Sequence, residues 1–388
     1  MSTRERLTAA GYAMGWSVVC RMPGSWAHRA FMTAGEIAWR RQGTGVQRLE
    51  ANLRRVIGPG ASGKELRALS REAVRSYARY WLEVFRLPVI SRERILAGMH
   101  SVGEEKTAFA YMAAGRGVIF ALPHMGNWEH AGAWIIASGA GKFTTVAERL
   151  KPESVYERFV AFREGLGMEV LPASGGVNRF GVLAQRLRAG GLVCLLADRD
   201  ITGAGIEVDF FGEKARMMGG PAALAIQTGA ALMPVTLWFE GSDWGAHIYP
   251  AIPVPEQGSR RDKVAAMTQE LARIFEAGIA RHPADWHMLQ RVFAADLDLA
   301  RLEAAEAAEA ASAAAEAGGE AASAEAAVAA EPGGAMMGPA AGPGRPVDGQ
   351  RASGTPDGRG AGGGPDGHGA GSTPNGTEAA GTADGGKQ

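Results

Sequence analysis

The chain has 388 residues, 41 basic and 41 acidic side chains and 46% hydrophobic residues, room for one large domain or two ordinary ones. The neutral total hides a division: residues 301–388 carry 5 Lys/Arg against 12 Asp/Glu, while residues 1–100 carry 17 against 7, so that first part suits an anionic surface such as a membrane or a nucleic acid. Two cysteines, Cys20 and Cys194, exclude a disulfide framework and fit a reducing compartment; no stretch reaches the ~20 apolar residues of a membrane span, and the opening Met-Ser-Thr-Arg-Glu-Arg-Leu does not read as a signal peptide.

From the N-terminus to residue 100 the pattern is helical. Leu7 to Ala38 mixes Tyr12, Met14, Trp16, Val18 and Trp26 with Arg21, His28 and Arg29, and Pro23-Gly24 breaks it in two. Such short Trp/Met/Arg pieces either lie in a bilayer interface or cap the main domain. Lys64 to Leu87 is predicted as one amphipathic helix, since Leu66, Leu69, Val74, Tyr77, Trp81, Val84 and Phe85 share a face. Arg67, Arg71, Arg75 and Arg79 stack into a basic stripe. It reads as a solvated, acid-paired face or as a contact for lipid phosphates.

Between about 115 and 295 apolar segments alternate with helical ones. Strands are expected at Val118–Leu122, Phe143–Val146, Met168–Leu171, Leu192–Leu196 and Leu232–Trp238, with His247–Val254 as an edge strand because of Pro250 and Pro253. Helices are expected at Asn127–Ala137, Val155–Gly165, Asn178–Ala189, Pro221–Thr228 and Asp262–His282. The fold class that follows is α/β: a mostly parallel central sheet flanked by helices, with a helical N-terminal region. Residues 1–100 form the basic, membrane-associating part, 101–298 the α/β core, and 299–388 an Ala/Glu-rich then Gly/Pro-rich tail too poor in large apolar groups to order.

Sites in such sheets gather at the carboxyl ends of strands, and one strand end stands out. Val118–Leu122 runs into Pro123-His124-Met125-Gly126-Asn127-Trp128-Glu129. Asn127 suits the N-cap of the next helix, so His124 ends a strand while Glu129 lies in the first helical turn. The corner folds His124 over the helix start, where Glu129 is expected to bond one imidazole nitrogen and leave the other as a general base. Glu129 serving the helix dipole is the plainer alternative. A metal site with His130 is the other, although the spacing matches neither His-Glu-x-x-His nor His-x-x-Glu-His. Other charges follow strand ends: Glu148-Arg149, and Asp198-Arg199-Asp200, where three charges after an apolar strand need partners or a role. In the loop Phe210–Pro221, Gly219, Gly220 and Arg216 suit an anion, and Phe210, Phe211, Met217 and Met218 wall an acyl channel or fill core.

Pro-His-Met-Gly-Asn-Trp-Glu resembles the His-x4-(Asp/Glu) signature of glycerolipid-type acyltransferases. It is most similar to the branch holding lipid A lauroyl/myristoyl and actinobacterial phosphatidylinositol mannoside acyltransferases. Thr145–Arg149, Phe159–Arg163, Leu196–Asp200 and Val208–Glu213 extend the likeness over about residues 5 to 295. Many mannoside-type members carry Asp where this chain has Glu129. The resemblance implies that Glu148 and Arg163 belong to the active site. It implies acyl-CoA as co-substrate with no bound cofactor and no metal, and a mannose hydroxyl of a phosphatidylinositol mannoside as acceptor. It further implies a peripheral position on the cytoplasmic face of the cell membrane, with an anionic membrane surface and no nucleic acid as partner. His124 takes the acceptor's proton and no acyl-enzyme forms; neither a Gly-x-Ser-x-Gly elbow nor a recognisable cysteine nucleophile is present. An acyl-CoA thioesterase, a non-catalytic lipid-binding protein and an acyltransferase for another lipid acceptor are the alternatives.

Overall fold

Val118–Leu122 has no polar alternation and is buried at every position, as a strand covered on both faces must be. It is β2 of a chain whose strands are β1 (Met99–Gly103), β3 (Phe143–Ala147), β4 (Met168–Pro172), β5 (Leu192–Leu196), β6 (Ile206–Phe210), β7 (Glu213–Met217), β8 (Ala231–Glu240) and β9 (Asp243–Ile248). The computed structural model describes residues 14–148, 153–173, 178–200 and 205–297, so the expectations for Arg149 and for the tail lie outside the described residues. Seven strands form one sheet in the order β1-β9-β8-β2-β5-β3-β4, with β2 in the middle. Every pairing is parallel except β8 with β9.

Successive residues of β2 face opposite cores. Ile119 and Ala121 join Leu187, Leu224 and Phe275, which belong to helices α9 (Arg179–Arg188), α10 (Gly220–Thr228) and α11 (Arg260–Arg281). Val118, Phe120 and Leu122 join Trp134 of α7 (Trp128–Ala137) and Tyr156 of α8 (Glu153–Gly165) on the other face. The α/β class and the helical N-terminal region are as the sequence indicates.

That N-terminal region comprises α1 (described over residues 14–21), α2 (Gly24–Arg41), α3 (Thr44–Ile57) and α4 (Gly63–Arg86), with the short helices α5 (Arg92–Ala97) and α6 (Glu105–Ala113) on either side of β1. Ser62 and Glu65 close a capping box that starts α4. Trp16 of α1 packs on Phe85 and Phe159 and donates to the Phe85 carbonyl at 2.9 Å, so α1 caps the domain. Met14, Val18 and Trp26 remain exposed. The basic stripe of α4 is largely acid-paired: α2 and α3 bring Glu36 to Arg71 (2.7 Å) and Glu50 to Arg67 (2.6 Å), and Arg79 bonds Glu83 of α4 itself at 2.6 Å.

Two strand expectations are corrected. β9 spans Asp243–Ile248 and lies between β1 and β8, so it is internal. The proline-bearing residues after Ile248 leave the ladder, for the reason they were expected at an edge: proline cannot donate to it. The stretch after Phe210 is not a loop but β7, returning antiparallel to β6 through Phe211 and Gly212, both at positive φ (49° and 76°).

Candidate active site

The site grows from the register of two strands. β2 pairs with β5 so that Leu122 lies beside Leu196. Two residues further along each chain stand His124 and Asp198, both past the carboxyl edge of the sheet. Asp198 is fully buried and takes three hydrogen bonds. Its Oδ2 accepts from the His124 backbone N–H (2.9 Å) and from the Trp286 indole N–H (2.9 Å), and its Oδ1 lies 2.6 Å from His124 Nδ1. Burial alone would raise this carboxyl's pKa, but the charge of His124 and these hydrogen bonds outweigh it and hold it below the ordinary value. An ionised carboxylate only accepts, so Nδ1 must carry the imidazole proton and Nε2 keeps a lone pair.

Glu129 does not make this contact, which corrects the sequence expectation. It is 3% exposed and bonds Arg163, whose Nε lies 3.2 and 3.1 Å from its two oxygens and whose second donor reaches Oε1 as well. The short reach from helix start to strand end suggested Glu129 as the partner of His124. The fold instead offers Asp198 from the neighbouring strand and presents Arg163 of α8 to Glu129.

The corner between β2 and α7 is held from several sides. Asn127 caps α7 as expected, accepting from His130 N–H at 3.0 Å, and its amide donates to Glu83 of α4 at 2.7 Å. Gly126 has φ +59, and a Cβ there would meet the Leu237 backbone carbon at 2.8 Å, so only glycine fits. The residues after α11 pair with the corner: Gly126 N–H donates to the Asp285 carbonyl (2.9 Å) and His287 N–H to the His124 carbonyl (2.7 Å). Asp285, Trp286 and His287 carry no motif. Their one signal in the sequence is a Trp and a His soon after an amphipathic helix.

His124 opens on a cavity of about 650 Å³, within the ~300–1,000 Å³ usual for ligand sites. Tyr77, Tyr80 and Trp81 of α4 form one wall; Trp128, Gly132 and Trp134 of α7 contribute another. Phe143 and Met168 also line it; they are the first residues of β3 and β4, at the end of the parallel strands opposite His124. The cavity therefore follows the strands, roughly 17 Å for five residues. Such a slot suits a long apolar chain.

Of the other expected site residues, Glu148, Arg163 and Arg199 line this cavity, with Arg199 bonding Glu148 at 2.9 Å. Asp200 and Arg216 are not among its lining residues. Asp200 accepts from Gly205 N–H (2.7 Å) and Arg216 donates to the Gly205 carbonyl (3.2 Å), so both hold Gly205 just before β6. At Gly219 a Cβ would lie 2.8 Å from Ile206 and 3.1 Å from Val264, so the packing there requires glycine, while Gly220 lines the cavity. Phe210 and Met217 are fully buried core; of the four expected channel residues, Met218 alone lines the cavity.

A histidine held by a buried carboxylate, at the carboxyl edge of a parallel sheet and above a long apolar slot, is the arrangement of an α/β enzyme that takes a substrate with a long apolar chain. The chain belongs to the bacterial lipid A biosynthesis acyltransferase family, whose pattern it matches over residues 2–295. It is 49% identical over 304 residues to a phosphatidylinositol mannoside acyltransferase of Mycobacterium tuberculosis, covering 77% of this chain and 93% of the relative. It is 49% identical over 294 residues to one of Mycolicibacterium smegmatis, covering 75% and 93%.

Proposed function

We propose that the protein is a membrane-associated O-acyltransferase that moves a long-chain acyl group, palmitoyl, from acyl-CoA to a mannose hydroxyl of a phosphatidylinositol mannoside. The observation that carries the chemistry is the His124–Asp198 pair opening on the apolar cavity. The acceptor comes from the names of the two mycobacterial relatives. His124 Nε2 removes the hydroxyl proton as the oxygen attacks the thioester carbonyl carbon. The tetrahedral oxyanion collapses, the carbon–sulfur bond breaks, and the proton passes from the imidazolium to the departing thiolate. The products are an ester and the free thiol, with no acyl-enzyme. Asp198 fixes the tautomer and balances the imidazolium charge. Arg163 and Arg199 supply positive charge in the cavity wall, for the oxyanion and for substrate phosphates.

The membrane reading has its own support. Met14, Val18 and Trp26 are exposed near Arg21, His28 and Arg29, a composition suited to a bilayer interface, and we place the protein peripherally on the cytoplasmic face of the cell membrane. No described helix is long and apolar enough to cross a membrane.

The deciding experiment is transfer from palmitoyl-CoA to purified phosphatidylinositol mannosides by wild type and by His124→Ala. The expected result is product with wild type and a loss of at least about a hundredfold in the folded variant. Undiminished transfer by His124→Ala removes the mechanism; thioester hydrolysis unaffected by acceptor makes the protein a thioesterase.

A further inference from the structure

Gln290 lines two cavities. With Leu289 it lies on the wall of the catalytic cavity, and it also borders a smaller one of about 340 Å³. Gln47 and Arg48 of α3 line this second cavity together with Gln290, Arg291 and Asp296 from the chain after α11. Asn52 of α3, 1% exposed, ties the two segments together: its amide donates to the Met288 carbonyl at 2.8 Å and to the Gln290 carbonyl at 2.9 Å. The same segment reaches the base, because His287 N–H bonds the His124 carbonyl at 2.7 Å. From His287 to Gln290 is at most about 11 Å of extended chain.

The charges of this cavity do not balance. Asp296 is taken by Arg55, whose two terminal nitrogens lie 2.6 and 3.1 Å from its oxygens. Arg48 and Arg291 are exposed and have no carboxylate partner among the described residues, unlike Arg67, Arg71 and Arg79 of α4. Two guanidinium groups lining one concavity repel each other unless an anion lies between them. Gln47 and Gln290, also exposed, bring amide N–H donors to the same wall. Forked cationic donors flanked by neutral ones suit a phosphate, which offers charge and several acceptor oxygens at once. A volume of about 340 Å³ is that of a small ligand site, enough for a phosphorylated group larger than the free ion.

We propose that this second cavity is a phosphate subsite of the reaction at His124: Arg48 and Arg291 hold a phosphate of one substrate, and Gln47 and Gln290 donate to its remaining oxygens. Both substrates carry the chemistry. Coenzyme A has a diphosphate and a ribose phosphate, and the acceptor has a phosphodiester on its inositol. Because Gln290 borders both cavities, one molecule can react in the first while its phosphate rests in the second. This inference rests on the acyl-transfer reading and adds to it the residues that grip a substrate away from the reacting atoms.

The test uses the full chain. Arg48→Gln/Arg291→Gln removes both charges; both side chains are exposed, so the fold should survive, as a melting curve checks. Arg188→Gln/Arg260→Gln removes two exposed arginines that line neither cavity and serves as the control. Calorimetry measures binding of coenzyme A and of deacylated phosphatidylinositol mannoside, and the transfer assay gives KM for palmitoyl-CoA and for the intact mannoside. The expected result is a Kd and KM raised at least about tenfold for one substrate by the cavity pair, with kcat and the other substrate unchanged and the control pair close to wild type. A change confined to coenzyme A places the donor's phosphate in the cavity; one confined to the mannoside places the acceptor's there. Unchanged constants for both substrates, equal weakening of both, equal weakening by the control pair, or a fall in kcat alone overturns the inference while leaving acyl transfer intact. A wild type that binds as expected but transfers nothing removes the acyl-transfer reading and leaves the phosphate subsite standing.

Discussion

His124 and Asp198 lie 74 positions apart in the chain, yet two hydrogen bonds join them, one to the backbone N–H and one to Nδ1. The pairing of β2 with β5 makes them neighbours, and Trp286 donates to the same carboxylate. The base of the site is thus assembled from three separate parts of the chain.

Asp198→Asn should remove activity without unfolding the protein. An amide can still accept from Trp286 and the His124 backbone, but it then turns its NH2 toward Nδ1. That favours the tautomer with the proton on Nε2, which cannot act as a base. The expected loss in kcat is about 10²–10⁴, read by the transfer assay beside an unchanged melting curve. An active Asp198→Asn protein would return the orienting role to Glu129.

Glu129→Gln acts on stability first. It strips Arg163 of a partner that is 3% exposed. Breaking such a buried pair from one side costs about 3 kcal/mol, measurable by urea denaturation. Glu129→Gln/Arg163→Met should recover part of that stability and still transfer poorly, because the cavity has lost its Arg163 charge. Recovery of both would show the pair to be structural.

Stability should fall in mild acid, and His130 is one cause. Its ring is buried and stacked on Trp244 at 3.5 Å. Burial pushes its pKa down to about 3, with Arg94 and Arg79 adding to the shift and the Ile95 carbonyl opposing it. Unfolded, the same group titrates near ~6.5. Between those values the unfolded chain binds the proton and the folded chain does not, so the stability is complete above about 6.5 and is lost as pH falls toward 3. His130→Phe keeps the stack and removes the titration. Its stability should drop by about 2 kcal/mol less than wild type between pH 7 and pH 5, from denaturant curves at both. Parallel losses would place the acid sensitivity elsewhere.

Gly132 tests the cavity as the acyl site. A Cβ there would lie 2.8 Å from Met168 Cε and 3.0 Å from Phe143 Cζ, at the end of the slot away from His124. Gly132→Val should shorten the slot by about two methylenes. The preference for palmitoyl over dodecanoyl thioesters should then fall about tenfold, at roughly 0.8 kcal/mol per methylene. An unchanged chain-length profile would place the acyl chain outside this slot.

Local sequence suffices for the pieces. Val118–Leu122 as a buried strand, Asn127 as a cap and α4 as an amphipathic helix rest on short-range causes: side-chain period, capping groups and turn residues within a few positions. His124 was legible for the same reason, since a His directly after such a strand must stand at the sheet's carboxyl edge. Which carboxylate bonds it is set by the packing of distant strands. That choice follows from strand order, and β2 beside β5 puts Asp198 in reach while α8 brings Arg163 to Glu129. The pairing of α4's arginines was hidden likewise, because Glu36 and Glu50 arrive on other helices. The bond from Ser76 to Asp285 spans 209 positions, and no local pattern encodes it. A carboxylate's partner depends on which loops converge over the sheet edge, a long-range property of the packed strands and helices.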